Sequence, residues 1–221
     1  MSGRVAKDAL FDGFARVARA LGNGHRLEIV DVLAQGERSV DDLAAEIDES
    51  TANTSQHLQV LARAGLVRSR REGTRVVYRL AGDDVAAFWS SLSGVAGRHL
   101  AEVEVLAADY LGERSEVEQV SAEELATRLA EGRVVVLDVR PAVEYRAGHI
   151  AGALSVPPDE LTELTTGVPK RAEVVAYCRG PYCVYADDAV RLLRVRGIRA
   201  RRLAVGFPEW RQAGLPVTLA S

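Results

Sequence analysis

The sequence predicts two domains of different fold class: a mainly α-helical first half that contains one β-hairpin, and an α/β second half built on a parallel sheet. Apolar residues recur at helical spacing through the first part of the chain. Two alternating apolar runs then flank a short polar turn, which is typical of a hairpin. Further along, β-branched apolar runs alternate with amphipathic segments, which favours βα units and a parallel sheet.

Composition limits the class of protein. A length of 221 residues fits two ordinary domains, and 48% hydrophobic with 27% charged residues is typical of a soluble chain. The longest apolar runs, such as 134–137, fall far short of the roughly 20 residues of a membrane span. The first residues lack the apolar core of a signal peptide. We therefore expect a cytoplasmic protein with no membrane partner.

The helical half is divided by capping and breaking residues. Ser39 and Ser50 are expected N-caps, and Gly36 and Gly65 are expected to end helices. The predicted helices cover residues 4–21, 25–34, the segment after Ser39, the segment from Ser50 to Gly65, and a long amphipathic stretch at 84–111. The predicted hairpin is formed by "LVRSR" and "RVVYRL" around "REGT".

The helix after Ser50 carries short hydrogen-bonding side chains opposite its apolar positions Leu58, Leu61 and Ala62. Such side chains suit the edges of bases in a major groove. We expect His57 to pack against or cap this helix. The candidate DNA-contacting residues of the helix are Thr51, Asn53, Thr54, Ser55, Gln56, His57 and Gln59.

The hairpin is strongly basic in a chain whose net charge is −3. Between Arg63 and Arg79 there are six arginines and one acid, Glu72, a local net charge of +5. Such a run forms either a solvated surface or a contact to phosphates and the neighbouring minor groove. The candidate DNA-contacting residues of the hairpin are Arg70, Arg71 and Arg75.

The stretch "STANTSQHLQVLARAGLVRSRREGTRVVYRL" resembles the recognition helix and wing of ArsR-type transcriptional repressors. The resemblance covers residues 10–110, and its most specific part is the S-x-H-L-x-x-L-x-x-A-G-L-V pattern from Ser55 to Val67. It implies a winged helix-turn-helix fold and a homodimer that binds two-fold operator DNA. The family pairs through its first and last helices, which here are 4–21 and 84–111.

The second half has predicted strands at 134–139, 153–157, 173–178 and 200–205, and helical segments at 121–131, 159–165 and 183–196. Ligand sites of parallel sheets lie at the carboxyl ends of the strands. Cys178 stands at such an end. The polar segment 112–121 is the expected boundary, which gives domains at 1–114 and 115–221.

The chain has two cysteines, Cys178 and Cys183, five positions apart. A metal site, a disulfide and a reactive thiol are the possible explanations, and a reducing cytosol disfavours a structural disulfide. A thiol between a strand end and a helix N-terminus meets backbone N–H groups and the helix dipole, which lower its pKa. Gly180 is expected to let the loop curve and Pro181 to restrict it. A buried structural cysteine remains the alternative.

Three motifs in this half resemble the rhodanese family over residues 118–219. They are "LDVRPAVEYRAGHIAGALSVP" (137–157), the loop "YCRGPYC", and "GFPEWRQAGLP" (206–216). The resemblance implies that Cys178 carries sulfane sulfur as a persulfide, without metal or organic cofactor. It also assigns Asp138 and Arg140 to the family signature, and the cradle around the sulfur to Arg179, Gly180, Pro181 and Tyr182.

One position departs from the family pattern. Cys183 stands where many active rhodaneses have a basic or hydroxyl residue, which is expected to weaken binding of anionic donors. Arg179 either compensates or points into solvent. Cys183 can act as a resolving thiol that attacks a persulfide or sulfenic acid on Cys178. A small apolar residue at the start of a helix is the alternative role of Cys183.

These observations predict a dimeric DNA-binding repressor that senses sulfane sulfur or thiol oxidants through Cys178 and Cys183. Its expected partners are operator DNA, a second copy, and a donor such as polysulfide, persulfide or thiosulfate, with no cofactor and no metal. One alternative is a sulfurtransferase whose winged helix serves dimerisation or recruitment. Another is an arsenic- or metal-responsive repressor, although His99 and Glu102 do not complete the four ligands of a closed site. A third is a repressor whose second domain is only a scaffold.

Overall fold

The computed structural model describes residues 3–112, 114, 117–164 and 172–219. The chain divides into two compact units, one up to Trp89 and one from Ser90 onward. The expected boundary segment 112–121 therefore lies inside the second unit, and the domain ranges 1–114 and 115–221 stay a prediction. No described helix has the length and apolar character that crossing a bilayer requires.

The first unit consists of helices followed by an antiparallel hairpin. The elements in order are α1 (Gly3–Leu21), α2 (Gly24–Gln35), β1 (Arg38–Ser39), α3 (Val40–Glu46), α4 (Thr51–Arg63), β2 (Val67–Glu72) and β3 (Arg75–Leu80). The Ser39 side chain accepts a hydrogen bond from Asp42 N at 3.2 Å, and Ser50 accepts one from Asn53 N at 3.2 Å. Both predicted N-caps are confirmed, because each oxygen satisfies a backbone N–H group that has no partner within the helix.

The sheet of this unit has the order β1-β3-β2 and is antiparallel. Gly73 has a φ of 58°, which suits the two-residue turn between β2 and β3. Leu58 and Leu61 of α4 are fully buried. Ala62, which was expected to face inward with them, is exposed, because it lies off the buried stripe of this helix.

The single helix predicted over 84–111 is wrong. The segment forms α5 (Asp83–His99) and α6 (Ala101–Leu111), separated at Leu100 by an extended backbone with φ −111° and ψ 98°. Leu100 is exposed, and no side chain caps α6. The sequence therefore has no capping residue at Leu100 from which the break could be predicted, and Leu100 is not fixed there by burial. The division between the two units falls within α5.

The second unit confirms the α/β prediction. After α6 come β4 (Gln119–Val120), α7 (Ala122–Ala130), β5 (Val135–Asp138), α8 (Ala142–Ala147), β6 (Gly148–Ile150), β7 (Leu154–Ser155), α9 (Leu161–Leu164), β8 (Glu173–Tyr177), α10 (Tyr185–Val195), β9 (Arg199–Leu203), α11 (Phe207–Gln212) and β10 (Val217–Leu219). The main sheet has the order β4-β9-β8-β5-β7 with parallel pairing throughout. The predicted helix 159–165 overlaps a 3₁₀ turn at Pro158–Glu160 and α9, and its last residue lies outside the described residues.

The antiparallel ribbon of β6 and β10 was not expected from the sequence. The sheet is covered on both faces by apolar residues, and Trp210 and Phe207 of α11 are buried on one of them. Cys178 packs in the core cluster of the other face, with residues of α10. The carboxyl end of β8 therefore opens directly into the loop that carries both cysteines.

Candidate functional site

The loop from Cys178 to Cys183 connects β8 to the start of α10. Cys178 is buried and Cys183 is partly buried, and neither forms a disulfide. The loop closes on itself, because Cys183 N donates to Gly180 O at 3.3 Å. The Sγ atom of Cys178 lies 3.7 Å from the carbonyl oxygen of Cys183. The two cysteines that are five positions apart in sequence therefore belong to one closed loop.

The environment of the loop makes the two thiols unequal. Burial alone would raise the pKa of Cys178, but a hydrogen bond from the Cys183 side chain, the charge of Arg202 and backbone hydrogen bonds of Ala186 and Gly180 lower it to about 7. The same hydrogen bond, together with burial and the negative charge on Cys178, raises the pKa of Cys183. Cys178 is therefore the cysteine of the pair that ionises more readily.

Residues of the motif "GFPEW" contact the backbone of the loop. Phe207 N donates to Cys178 O at 3.2 Å. A Cβ atom at Gly206 would overlap the carbonyl oxygen of Arg179 and approach Gly180 N at 2.6 Å, so only glycine fits there. Gly180 itself has no positive φ, and a Cβ on it would meet open space. The glycine that the loop needs is Gly206, whereas the sequence argument gave that role to Gly180.

Arg179 is held inside the domain. Its guanidinium donates to Glu144 of α8 at 3.0 and 2.6 Å, and the Glu144 side chain is fully buried. Of the two expectations, compensation of a missing cation or exposure to solvent, the second is wrong, because this ion pair anchors the loop to α8. Arg179 therefore positions the loop backbone.

Asp138 and Arg140 form a buried network with the end of β8. Arg140 donates to Asp138 at 2.9 and 2.5 Å and to Gly148 O at 2.7 Å, and its guanidinium lies 4.3 Å from the centre of the Phe207 ring. The Tyr177 hydroxyl donates to Asp138 at 2.5 Å, and burial raises the pKa of Tyr177. Both signature residues have no exposed side-chain surface. Their hydrogen bonds connect β5, β8 and the ribbon of β6 and β10.

Contacts from distant parts of the chain hold the remaining loop residues. Arg202 of β9 donates to Gly180 O at 2.9 Å, and Arg114 donates to Pro181 O at 2.6 Å and to Cys183 O at 3.1 Å. Tyr182 is exposed, and its hydroxyl lies 2.5 Å from where a Cβ of Gly97 would stand. Sequence reasoning missed Arg114 and Arg202. The one available signal was a pair of arginines inside the apolar strand "ARRLAV".

The proposed recognition surface lies on α4. The side chains of Thr51, Asn53, Gln56 and Gln59 are exposed, and those of Ser55 and His57 are partly exposed. Thr54 corrects the expectation, because it is fully buried and its hydroxyl donates to Ser50 O at 3.0 Å. It therefore has no free surface for a base.

The three wing arginines differ in their surroundings. Arg70 pairs with Glu72 at 2.6 Å and with Glu37. Arg71 and Arg75 are exposed, and no ion pair is found for either among the residues that the structure describes. Side chains alternate between faces along a strand, and Arg70 lies opposite Val77 while Arg71 lies opposite Val76. Arg71 therefore projects from the other face of the hairpin than Arg70.

The histidines of the first unit lie together but do not complete a metal site. His25 and His57 stack with ring centres 5.7 Å apart, and His25 Nε2 lies 3.4 Å from Glu49. Burial lowers the pKa of His57, and the nearby Arg26 and His25 add to this effect. Within the described ranges, no three His, Cys, Asp or Glu side chains are grouped as metal ligands.

Family models match both halves of the chain. A model described as a helix-turn-helix domain matches residues 21–70, and one described as a rhodanese-like domain matches residues 121–213. The fold and the loop thus define a winged helix-turn-helix protein with a rhodanese-like domain.

Similar proteins extend this assignment to the whole chain. The HTH-type transcriptional regulator Rv0324 of Mycobacterium tuberculosis is 49% identical over 96% of this chain and 92% of its own length. The homodimeric winged helix-turn-helix DNA-binding domain of Mb0332 from Mycobacterium bovis is 49% identical over 45% of this chain and 91% of that chain, with a TM-score of 0.42. The rhodanese-like domain of the Alr3790 protein from Anabaena is 31% identical over 45% of this chain and 77% of that chain, with a TM-score of 0.41. The chain belongs to the HTH-type transcriptional regulators, with an ArsR-type winged helix-turn-helix joined to a rhodanese-like domain.

Proposed function

We propose that this regulator is a repressor that binds operator DNA as a homodimer and senses sulfane sulfur at Cys178. The observation that carries the proposal is the closed loop, in which Cys183 N donates to Gly180 O at 3.3 Å and Cys178 Sγ lies 3.7 Å from Cys183 O. In this loop the pKa of Cys178 is lowered and that of Cys183 is raised. A thiolate near neutral pH is the nucleophile that sulfur donors require. The raised pKa of Cys183 in the same loop supports a role as the resolving thiol. The proposed setting is the cytoplasm, where operator DNA and reduced thiols occur together.

The proposed chemistry needs no further oxidant. The Cys178 thiolate attacks the outer sulfur of a polysulfide or an organic persulfide, which leaves Cys178 as a persulfide and releases the shortened donor as its thiolate. Cys183 then loses its proton and attacks the inner sulfur of that persulfide. The Cys178–Cys183 disulfide forms, and the outer sulfur leaves with the proton as hydrogen sulfide. Both electrons that reduce the leaving sulfur come from the cysteine pair.

Apolar surface supports the homodimer. Phe11 and Phe14 of α1 are exposed by more than half, as are Val105 and Leu106 of α6. Large apolar side chains at such exposure mark interaction surfaces when they are grouped. The Mb0332 relative is described as homodimeric. We propose that each of these helices pairs with its counterpart in a second copy.

The experiment compares operator binding by the full-length protein before and after treatment with inorganic polysulfide, with intact mass measured on each sample. The proposal predicts weaker binding together with the addition of one sulfur atom or the loss of two hydrogens. Both changes must disappear in Cys178→Ser. An unchanged operator affinity on protein whose Cys178 is fully modified contradicts the sensor role.

A sulfurtransferase is the second candidate. The lowered pKa of Cys178 favours it, because transfer to an acceptor needs the same thiolate. Its prediction differs in two respects. Thiosulfate and cyanide are turned over, and Cys183→Ser, which keeps a hydrogen-bond donor beside Cys178, leaves turnover intact. Operator affinity does not change on sulfur uptake. Catalytic turnover without a change in operator affinity would favour the sulfurtransferase over the sensor.

A further inference from the structure

Two arginines from outside the loop hold three of its carbonyl groups. Arg202 of β9 donates to Gly180 O at 2.9 Å. Arg114, three residues after the end of α6, donates to Pro181 O at 2.6 Å and to Cys183 O at 3.1 Å. The guanidinium fork allows one side chain to bind two carbonyl oxygens at once. The curvature of the loop therefore depends on residues that are distant in sequence.

Both arginines meet the same carboxylate beneath the loop. Asp187 in the first turn of α10 forms an ion pair with Arg114 and lies 3.4 Å from Arg202 Nε. The side chains of Asp187 and Arg202 are almost fully buried, and that of Arg114 is 21% exposed. One carboxylate balances only one of the two guanidiniums, and the guanidinium of Arg202 is buried. A buried charge is costly unless another charge compensates it.

An anionic sulfur on Cys178 would offset part of that charge. The charge of Arg202 is one of the causes that favour the Cys178 thiolate. A persulfide anion has the same charge, so the balance survives sulfur uptake. A Cys178–Cys183 disulfide is neutral, so its formation leaves the arginine pair with an excess positive charge. The same step moves Cys183, whose carbonyl oxygen is an acceptor for Arg114.

We propose that Arg114 and Arg202 are positioning residues that hold the loop around an anionic Cys178, and that Arg114 transmits disulfide formation to α6. This inference rests on the proposed function, because it names how the same site regulates DNA binding. Gly112 ends α6 with a φ of 66°, and Arg114 follows two residues later. Release of Arg114 from the loop therefore acts on the end of a helix whose exposed apolar face is proposed to pair in the dimer.

A second set of contacts joins the loop side of the domain to α5. Tyr182 of the loop lies against Gly97, and Ser90 donates to Glu209 of α11 at 2.6 Å. Glu209 in turn accepts a hydrogen bond from Gly206 N at 3.0 Å. A cavity of about 550 Å³ lies between α6 and the loop, and Arg114, Arg202 and Tyr182 are among its lining residues. These side chains thus have free volume into which they can move when the loop changes.

The test uses full-length Arg114→Ala, Arg114→Lys and Arg202→Lys, with Arg191→Ala as the matched control. Arg191 is exposed on α10 and forms an ion pair with Asp188. Two quantities are measured: the pH dependence of Cys178 alkylation by iodoacetamide, read peptide by peptide, and operator affinity before and after inorganic polysulfide. Circular dichroism establishes that each variant is folded.

The inference predicts that Arg114→Ala still forms the disulfide but loses the change in operator affinity. Arg114→Lys keeps the charge without the fork and is expected to respond partially. Arg202→Lys keeps the positive charge. The pH profile of Cys178 alkylation in this variant should therefore stay near the wild-type profile. That result distinguishes an electrostatic role of Arg202 from a merely structural one. Arg191→Ala should behave as wild type throughout. A wild-type response in Arg114→Ala overturns the inference.

Failure of the proposed function has a different signature. In that case the wild-type protein itself forms the disulfide without any change in operator affinity. The pH profile of Cys178 alkylation then tests whether Arg114 positions the loop. An unchanged profile in Arg114→Ala overturns this positioning role, and a profile displaced to higher pH supports it.

Discussion

At the scale of single residues, the chemistry depends on an asymmetry between two identical side chains. Cys178 ionises near neutral pH because a neighbouring thiol, a buried guanidinium and backbone hydrogen bonds all favour its negative charge against the cost of burial. The same hydrogen bond, together with burial, raises the pKa of Cys183. This difference in pKa supports the proposed roles of Cys178 as nucleophile and Cys183 as resolving thiol.

Replacing Cys183 by alanine is expected to raise the pKa of Cys178, because the largest favourable contribution to its thiolate is removed while burial remains. The alkylation rate of Cys178 should reach half of its plateau near pH 7 in the wild-type protein and at higher pH in the variant. Below that pH the rate falls in both, because the thiol form is unreactive. Iodoacetamide alkylation followed by peptide mass spectrometry measures both profiles.

Cys183→Ser is the matched variant, because a hydroxyl group can still donate a hydrogen bond to the Cys178 thiolate. Its profile should lie closer to that of the wild-type protein. Equal profiles for Cys183→Ala and wild type would show that the contact between the thiols does not set the ionisation of Cys178.

At the scale of elements, the loop from Cys178 to Cys183 is shaped by α11 and by the glycine that precedes it. Gly206→Ala is expected to lower the free energy of unfolding by about 1–3 kcal/mol, because its methyl group overlaps the backbone at Arg179. Urea unfolding of the full-length protein measures the difference. Gly180→Ala is the stability control, since a methyl group there meets nothing within 4 Å. Equal stability of the two variants would contradict the role assigned to Gly206.

The wing gives a prediction about DNA. Arg71→Ala should weaken binding to specific and nonspecific DNA alike and reduce the slope of log affinity against log salt by about one, because one phosphate contact is lost. Arg71→Lys should retain most of the slope, since it keeps the charge. Fluorescence anisotropy over a range of salt concentrations measures both. An unchanged slope in Arg71→Ala would exclude a phosphate contact by this residue.

Local signals in the sequence predicted most of the elements and the place of Cys178 in the fold. The caps at Ser39 and Ser50, the glycine at Gly36 and the alternating hairpin runs depend on neighbouring residues only, and the structure has each of them. The position of Cys178 at the end of β8 follows from the βα pattern in the same way.

Features that depend on tertiary packing were not accessible. Thr54 looks like its exposed neighbours in composition, and only the packing of α4 shows that it is buried. Arg114 and Arg202 reach the loop from 67 and 22 residues away, so no periodicity places them there. The break at Leu100 interrupts a helical pattern without a proline or a capping side chain.

At the scale of the whole molecule, the protein combines a helix-turn-helix domain with a rhodanese-like domain. Neither half alone would account for the proposed sensing, because allosteric regulation requires that the two states of the loop differ in their coupling to DNA binding. The proposed coupling is carried by Arg114, which contacts the loop and follows the end of α6. It makes the redox state of one cysteine pair the variable that sets operator affinity.

The most direct test of this account is operator affinity measured as a function of the fraction of protein modified at Cys178. Samples are treated with increasing polysulfide, and each is divided between anisotropy with operator DNA and intact mass spectrometry. We expect affinity to fall in proportion to the modified fraction in the wild-type protein and to stay constant in Cys178→Ser. Full modification of Cys178 with constant operator affinity would contradict the account.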